Sequence, residues 1–339
     1  MGNIFSNNKF TKPYYIAELN TSHFGNINLA KKMIIKAKES GCDCVKLQSW
    51  SPNSLYSENF FEKNPISKRF FQKYSLSENQ LKILSKFSKK NNIDFSSTPY
   101  APREVNFLLK ECNPAFIKIA SMDLNNYPFL KFISSKKKPI ILSTGMGDED
   151  EIIKAVNILK KNGNNKITIL HCISIYPAPK KLINLKNIIG LKNKFPNLTI
   201  GYSDHTVGIE FAIGAVTMGA KIIEKHFTLD KKIIGMDNHM ALEPNEMKDL
   251  TDSCNNVFLG LGSYKRILSK SEIEQKKKMR RSIFINKNMI KGDAISINDL
   301  DLKRPGTGIE LNKIYQILGK KLKKNISKGK LLSKKDIKL

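Results

Sequence analysis

The sequence predicts a parallel (β/α)8 barrel followed by a small β-rich domain, and three observations carry that reading. Short β-branched runs alternate with helix-like stretches, the pattern of parallel βα units. Eight such runs precede residue 228 of the 339-residue chain. Every run ends in polar or ionisable side chains. That is expected when all strand ends surround one mouth, whereas an open doubly wound sheet concentrates its chemistry at the switch point.

The runs are, in order, YYIAELN (14–20), ending near Glu18; CVKLQS (44–49), carrying Lys46 and Gln48; DFSSTP (94–99), with Ser96, Ser97 and Thr98; and FIKIAS (116–121), with Lys118 and Ser121. PIILST (139–144) ends in Ser143 and Thr144, ITILHC (167–172) in His171, LTIGYS (198–203) leads into Asp204 and His205, and AKIIEKHF (220–227) holds Glu224 and His226. Helical periodicity fills 27–41, 78–92, 103–113, 149–163 and 208–220 between them. The connection 49–74 is too long for a plain βα loop and is rich in aromatic residues, Ser and Asn, which predicts a lid or a partner contact. The barrel is expected over residues 1–268, a charged helical linker over 269–281, and the small domain over 282–339, where turn signals punctuate short strand-like pieces. No repeat at solenoid spacing is evident.

Composition removes several classes of function. No apolar run reaches the roughly 18 residues of a membrane span, and the N-terminus lacks the apolar core of a signal peptide. Gly2 to Ser6 fits the short N-myristoylation pattern. Five scattered cysteines without a C-x-x-C pair exclude a disulfide framework or zinc ribbon and suit a reducing cytoplasm. The net charge of +28 raises a non-catalytic nucleic-acid binder as the alternative of another class; steep salt dependence of RNA binding is its signature. Yet only six of the 58 basic residues are Arg, and the Lys residues are spread through helical segments without interleaved aromatics. A Lys-, Asn- and Ile-rich proteome accounts for this more simply than RNA recognition.

Two constellations point to chemistry. His205 and His226 end neighbouring strands, which lie about 4.8 Å apart, so both imidazoles can reach one ion. Glu224 shares parity with His226, and Asp204 adjoins His205. One such histidine would be unremarkable in a core; the pair suits a divalent ion such as Mn²⁺, with Mg²⁺ or Co²⁺ as alternatives, rather than a closed zinc site. Lys46 and Lys118 are lone cations in apolar strands, V-K-L and I-K-I. On an exposed strand they would be ordinary, but barrel strands are covered by helices, so these side chains point inward and require an anion. With Ser121, Ser143, Ser203 and neighbouring hydroxyls they form a cradle for phosphate and carboxylate, and the glycines of STGMG (143–147) let backbone amides approach.

IAELNTSHFGN, VKLQSW, FSSTP, IKIAS, LSTGMG, LHCISIYPAP, GYSDHT, EKHFTLD and KRPGTG follow one another here, and this ordered set resembles the sialic acid synthase family over about residues 14–335. The resemblance implies condensation of phosphoenolpyruvate with an N-acetylated hexosamine on a barrel followed by an antifreeze-like (SAF) domain. It also implies a domain-swapped homodimer in a cytoplasmic setting, with neither nucleic acid nor membrane as partner. His205 and His226 then match the Mn²⁺ ligands, and Glu18 the carboxylate beside the metal. Lys46, Lys118, Ser121, Ser143 and Ser203 match the phosphoenolpyruvate cradle. Tyr176 and Asp237 match sugar contacts, and Arg304 the arginine offered to the N-acetyl end of the sugar by the swapped domain.

The chain departs from the sialate-forming pattern at two sugar positions. Met122-Asp123 stands where Gly-Glu is expected, and Ser174 where Asn is expected. Both changes at Asp123 and Ser174 shorten the side chain, for Asp123 by one bond, about 1.5 Å. The acceptor is therefore N-acetylmannosamine or a 2,4-diacetamido-2,4,6-trideoxyhexose, the latter giving a legionaminate or pseudaminate. A Schiff-base aldolase on the same barrel is the rival enzyme, revealed by borohydride trapping.

Overall fold

The computed structural model describes residues 10–338, so the Gly2–Ser6 pattern lies outside the described residues. The chain divides into two compact units, Met1–Leu261 and Gly262–Leu339. In the first unit β1 (Tyr14–Glu18), β2 (Cys44–Gln48), β3 (Asp94–Thr98), β4 (Ile117–Ile119), β5 (Ile140–Ser143), β6 (Ile167–Cys172), β7 (Thr199–Asp204) and β8 (Ile222–His226) close a parallel barrel in sequence order. The last register joins Glu18 of β1 to His226 of β8, while Glu18 also pairs with Lys46 of β2.

Two alternating faces of each strand explain the near-continuous apolar runs. Outward residues such as Val45, Leu47, Ile117, Ile119 and Leu142 pack under the helices. Inward residues change character along the strand. Tyr14, Ile16, Cys44, Phe116, Ile141, Leu170 and Ile222 form an apolar plug, and the next inward positions are Glu18, Lys46, Lys118, Ser143, Cys172 and Glu224. The barrel is thus plugged at one end and polar at its C-terminal end, the end that carries chemistry in this architecture.

The helices begin where capping groups allow. Asn26 accepts from Asn28 N and Leu29 N at the start of α1 (Ile27–Glu39). Short helices α2 (Pro52–Leu55), α3 (Glu58–Lys63) and α4 (Pro65–Tyr74) build the long β2–β3 connection. Ser77 and Gln80 form a capping box on α5 (Glu78–Lys90). The stretch 103–113 is not one uniform α-helix: α6 (Pro102–Phe107) widens into a π segment, Leu108–Cys112, closed when Asn113 N donates to Leu108 O at 2.9 Å. Next come α7 (Tyr127–Ser135), α8 (Glu149–Lys161) with the Asp148/Glu151 box, α9 (Lys186–Lys194), α10 (Glu210–Thr217) and α11 (Pro244–Gly260). Among the described residues no helix is long and apolar enough to cross a membrane.

The second unit contains α12 (Lys270–Met279) and an antiparallel pair, β9 (Ser282–Ile285) with β10 (Leu300–Lys303), over a core including Ile283, Met289, Leu322, Ile326 and Ile337. Its organisation reveals a duplication that a search at solenoid spacing passes over, because there are only two copies. Lys-Asn, Lys-Gly and Ser-x-x-Asp recur in the same arrangement over 287–299 and 324–336. The copies hold each other reciprocally: Asn288 Oδ1 accepts from Lys328 N at 2.9 Å and Asn325 Oδ1 from Lys291 N at 2.8 Å. Met289 and Ile326 bridge between them.

Each copy also buries one carboxylate. Asp299 accepts from Ser296 N at 2.9 Å and pairs with Lys287 at 2.6 Å; Asp336 accepts from Ser333 N at 2.9 Å and pairs with Lys324 at 2.7 Å. Lys287 holds Asp299 below its ordinary pKa; burial opposes this at Asp336, but Lys324 and Ser333 outweigh it. A depressed carboxylate pKa stabilises the fold above the unfolded-state value, about 3.9, and that contribution is lost as pH falls through the folded value. Hydrogen-exchange protection in residues 282–338, corrected for the intrinsic rate, is therefore expected to fall below about pH 4. A D299N/D336N chain should exchange faster at neutral pH and show a flatter acid dependence; parallel profiles would refute this.

Candidate active site

A cavity of about 370 Å³ opens at the C-terminal strand ends. Its floor is a compact ionic layer. Lys46 is ion-paired with Glu18 and lies 3.7 Å from Glu224 Oε2, and its Nζ donates to Thr98 Oγ1 at 3.1 Å. Lys118 Nζ donates to Ser143 Oγ at 2.7 Å and lies 3.5 Å from Glu224 Oε1, which also accepts from Ser203 Oγ at 2.9 Å. All four charged groups are buried.

Two lysines and two glutamates here are not equivalent. Burial opposes the charge of Lys46, yet Glu18 and Glu224 hold its pKa above the ordinary lysine value. Burial lowers Lys118 below that value, with Glu224 compensating only in part. Burial also raises Glu18, against Lys46, whereas Lys118, Lys46 and Ser203 overcome burial to lower Glu224. Lys118 therefore gains most from an arriving anion, and Glu18 is the carboxylate better suited to accept a proton.

The two histidines meet at the side of this layer. Their ring centroids are 5.4 Å apart, and Tyr176 lies 4.2 Å from the His205 ring. His205 Nδ1 is 2.8 Å from Ile173 O, so a proton there donates to the carbonyl, and Nε2 is the nitrogen left to face an ion when the ring is neutral. Burial, His205 and the lysines push His226 well below its ordinary pKa, leaving it neutral. Burial opposes the charge of His205, yet Cys172, Ile173 O and Glu224 raise its pKa, so it is His226 that rests neutral; with His205 deprotonated, the two rings would fit a divalent ion. Among the described residues no group of three His, Cys, Asp or Glu side chains forms a ligand set, so other coordination positions would fall to water or substrate oxygen.

The pattern of the NeuB family matches residues 33–266, and that of the SAF domain matches 280–338. The chain belongs to the NeuB family. It is 41% identical over 310 residues to an uncharacterised protein of Methanocaldococcus jannaschii, covering 91% of this chain and 90% of that one. It is 40% identical over 333 residues to the N,N'-diacetyllegionaminic acid synthase of Campylobacter jejuni, covering 95% and 99%. Among solved structures, the N-acetylneuraminic acid (sialic acid) synthetase of Leptospira borgpetersenii in complex with citrate superposes with a TM-score of 0.72 at 34% identity, covering 78% of this chain and 90% of that chain.

In this NeuB-family barrel, Glu18, Lys46, Lys118, Ser121, Ser143, Ser174, Tyr176, Ser203, His205, His226 and Asp237 all line the one cavity. Asp237 Oδ2 accepts from Asn20 Nδ2 and lies 3.6 Å from His226 Nδ1. One expected sugar residue of the barrel does not join them. Asp123 is buried in the single helical turn Ser121–Asp123, where its Oδ1 accepts from Asn126 Nδ2 at 3.0 Å; that turn presents Met122 to the cavity instead. Arg304 is an exposed residue of the SAF unit, in the loop after β10.

Strand parity sorts the remaining polar residues. Asp204, read beside His205 as support for an ion, faces outward and binds Lys225 Nζ at 2.8 Å, because Ser203 and His205 occupy the inward parity. His171 likewise turns out, 2.6 Å from Ile183 O, while Cys172 turns in. Burial opposes ionisation of Cys172, yet His205 and Lys118 bring its thiol down to about 7. Glu224 is central to the layer although the motif assignment left it out; its shared parity with His226 was the available signal. Trp50, Leu55, Tyr56 and Phe71 from the long, aromatic-rich connection line the cavity on one side. Gly145 is required by close approach: a Cβ there would lie 2.8 Å from Ser121 Oγ, which accepts from Gly145 N at 3.1 Å.

Proposed function

We propose that this NeuB-family chain is a nonulosonate synthase, a cytoplasmic transferase that joins phosphoenolpyruvate to the open-chain aldehyde of an N-acetylated mannosamine sugar and releases phosphate by C–O cleavage. The carrying observation is the juxtaposition of the Lys46–Lys118 layer with the His205–His226 pair at one barrel mouth. Lys118, Ser143 and Ser121 bind the phosphate and carboxylate, and Lys46 balances charge as the reaction proceeds. Carbon 3 of phosphoenolpyruvate bonds to the aldehyde carbon, whose oxygen takes up a proton to become a hydroxyl; water adds at carbon 2, and the hydroxyl so formed there loses its proton and collapses to the ketone as the phosphate departs with the C–O electron pair. Glu18, its basicity raised by burial, takes the proton from that water. His205 and His226 would hold the divalent ion, Mn²⁺ in this reading, whose contribution is Lewis-acid polarisation of the aldehyde oxygen. Tyr176 and Asp237 orient the sugar chain. Arg304 of the SAF unit is assigned to its N-acetyl end, acting across a domain-swapped homodimer.

Two acceptors suit the departures at Met122-Asp123 and Ser174: N-acetylmannosamine and a 2,4-diacetamido-2,4,6-trideoxyhexose. The 40% identity to a legionaminic acid synthase favours the second. Phosphate release from phosphoenolpyruvate with Mn²⁺ tests the reading, with each sugar in turn and a no-sugar control. Sugar-dependent release is expected, greater with the diacetamido sugar. Release that ignores the sugar, or none with either, would remove the proposal.

A further inference from the structure

The structure assigns the cavity rim a selective role: Met122, Met146 and Met236 form a thioether collar for an uncharged acceptor whose terminal carbon is a methyl group. This deepens the synthase reading and rests on it. The three residues come from three separate strand-end loops, after β4, β5 and β8, yet all line the same cavity. They are 57%, 71% and 45% exposed, and it is their grouping on one cavity, rather than exposure alone, that marks an apolar surface for a ligand. Unbranched, polarisable side chains adapt to small apolar groups, and three converging on one opening suit a methyl better than a hydroxymethyl.

Charge points the same way. The chain carries 58 basic residues, but among the described residues Lys46 and Lys118 are the only lysines or arginines that line this cavity, both in the floor. Once phosphoenolpyruvate occupies them, the barrel wall offers a second phosphate no lysine or arginine, and Asp237 faces the same space. A phosphorylated acceptor would have to desolvate its phosphate with no cation from the barrel wall, and Arg304 is already assigned to the N-acetyl end.

Three acceptors differing only at carbon 6 separate the possibilities: 2-acetamido-2,6-dideoxymannose, N-acetylmannosamine and its 6-phosphate. Phosphate release by the intact enzyme is expected to give a kcat/KM about ten-fold higher for the 6-deoxy sugar than for the 6-hydroxy sugar, and no turnover of the 6-phosphate. Met122→Gln, Met146→Gln and Met236→Gln keep side-chain length while adding polarity; at least one should bring that ratio to about three or less. A 6-phosphate that is the preferred substrate, or a deoxy preference untouched by all three variants, overturns the collar while leaving the synthase reading intact. So does a rate loss of equal proportion for all sugars, which would mark the methionines as packing residues. If none of the three sugars, nor the diacetamido sugar, releases phosphate, the reaction itself is wrong and the collar falls with it.

Discussion

Lys46→Met is expected to abolish turnover and to destabilise the barrel, and the two losses should be separable. Lys46 is buried between Glu18 and Glu224, so its removal strands negative charge in a low-dielectric layer. Breaking a buried pair by deleting one partner costs about 3–5 kcal/mol. Glu18 can relieve part of that cost by taking a proton, since burial already favours its neutral form. The double variant Lys46→Met/Glu18→Gln removes both charges and should recover most of the stability in denaturant unfolding, while phosphate release stays at least about 10³-fold down because the charge-balancing cation is gone. Recovery of both properties, or turnover of Lys46→Met within ten-fold of the parent chain, would show that Lys46 is a structural ion alone.

His226→Ala should produce the opposite combination, a large catalytic loss with a modest stability change. The ring is buried beside Tyr176 and His205 but neutral, and Asp237 keeps its bond from Asn20, so truncation removes packing without breaking a charged pair of the ionic layer. The expected cost is near 1 kcal/mol, while sugar-dependent phosphate release falls by about 10³ or more for want of the Lewis acid. Chelation of the parent enzyme should mimic the variant, and added Mn²⁺ should restore the parent only. Direct Mn²⁺ titration followed by electron paramagnetic resonance gives an independent reading: undiminished affinity in His226→Ala would dismiss the histidine as a ligand.

Much of this architecture was legible in residue order because barrel strands impose a simple period. Eight β-branched runs with polar ends place the strands within a residue or two, and parity alone brings Lys46, Lys118, Glu224 and His226 to the interior. Neglect of parity is also what misplaced Asp204 and His171, which face the helices. Asp123 illustrates another limit. It lies beyond its strand in a single 3₁₀ turn, where neighbouring side chains point about 120° apart, so Met122 rather than Asp123 meets the cavity. The aromatic wall from the β2–β3 connection depends on how three short helices fold back, which neither period nor capping encodes.

The paired halves of the SAF unit behave like a two-fold dimer whose protomers share one chain. Each asparagine answers the other's backbone amide, so the interface is isologous, and a change in one copy has a counterpart position that can be altered to restore the match. Neither copy alone can cover the Met289–Ile326 bridge. Tethering replaces the dilution-sensitive encounter of separate subunits with an effective concentration set by the connecting loop. The cohesion of this small unit is therefore independent of how dilute the protein becomes, a property that a true dimer of the same halves would lack.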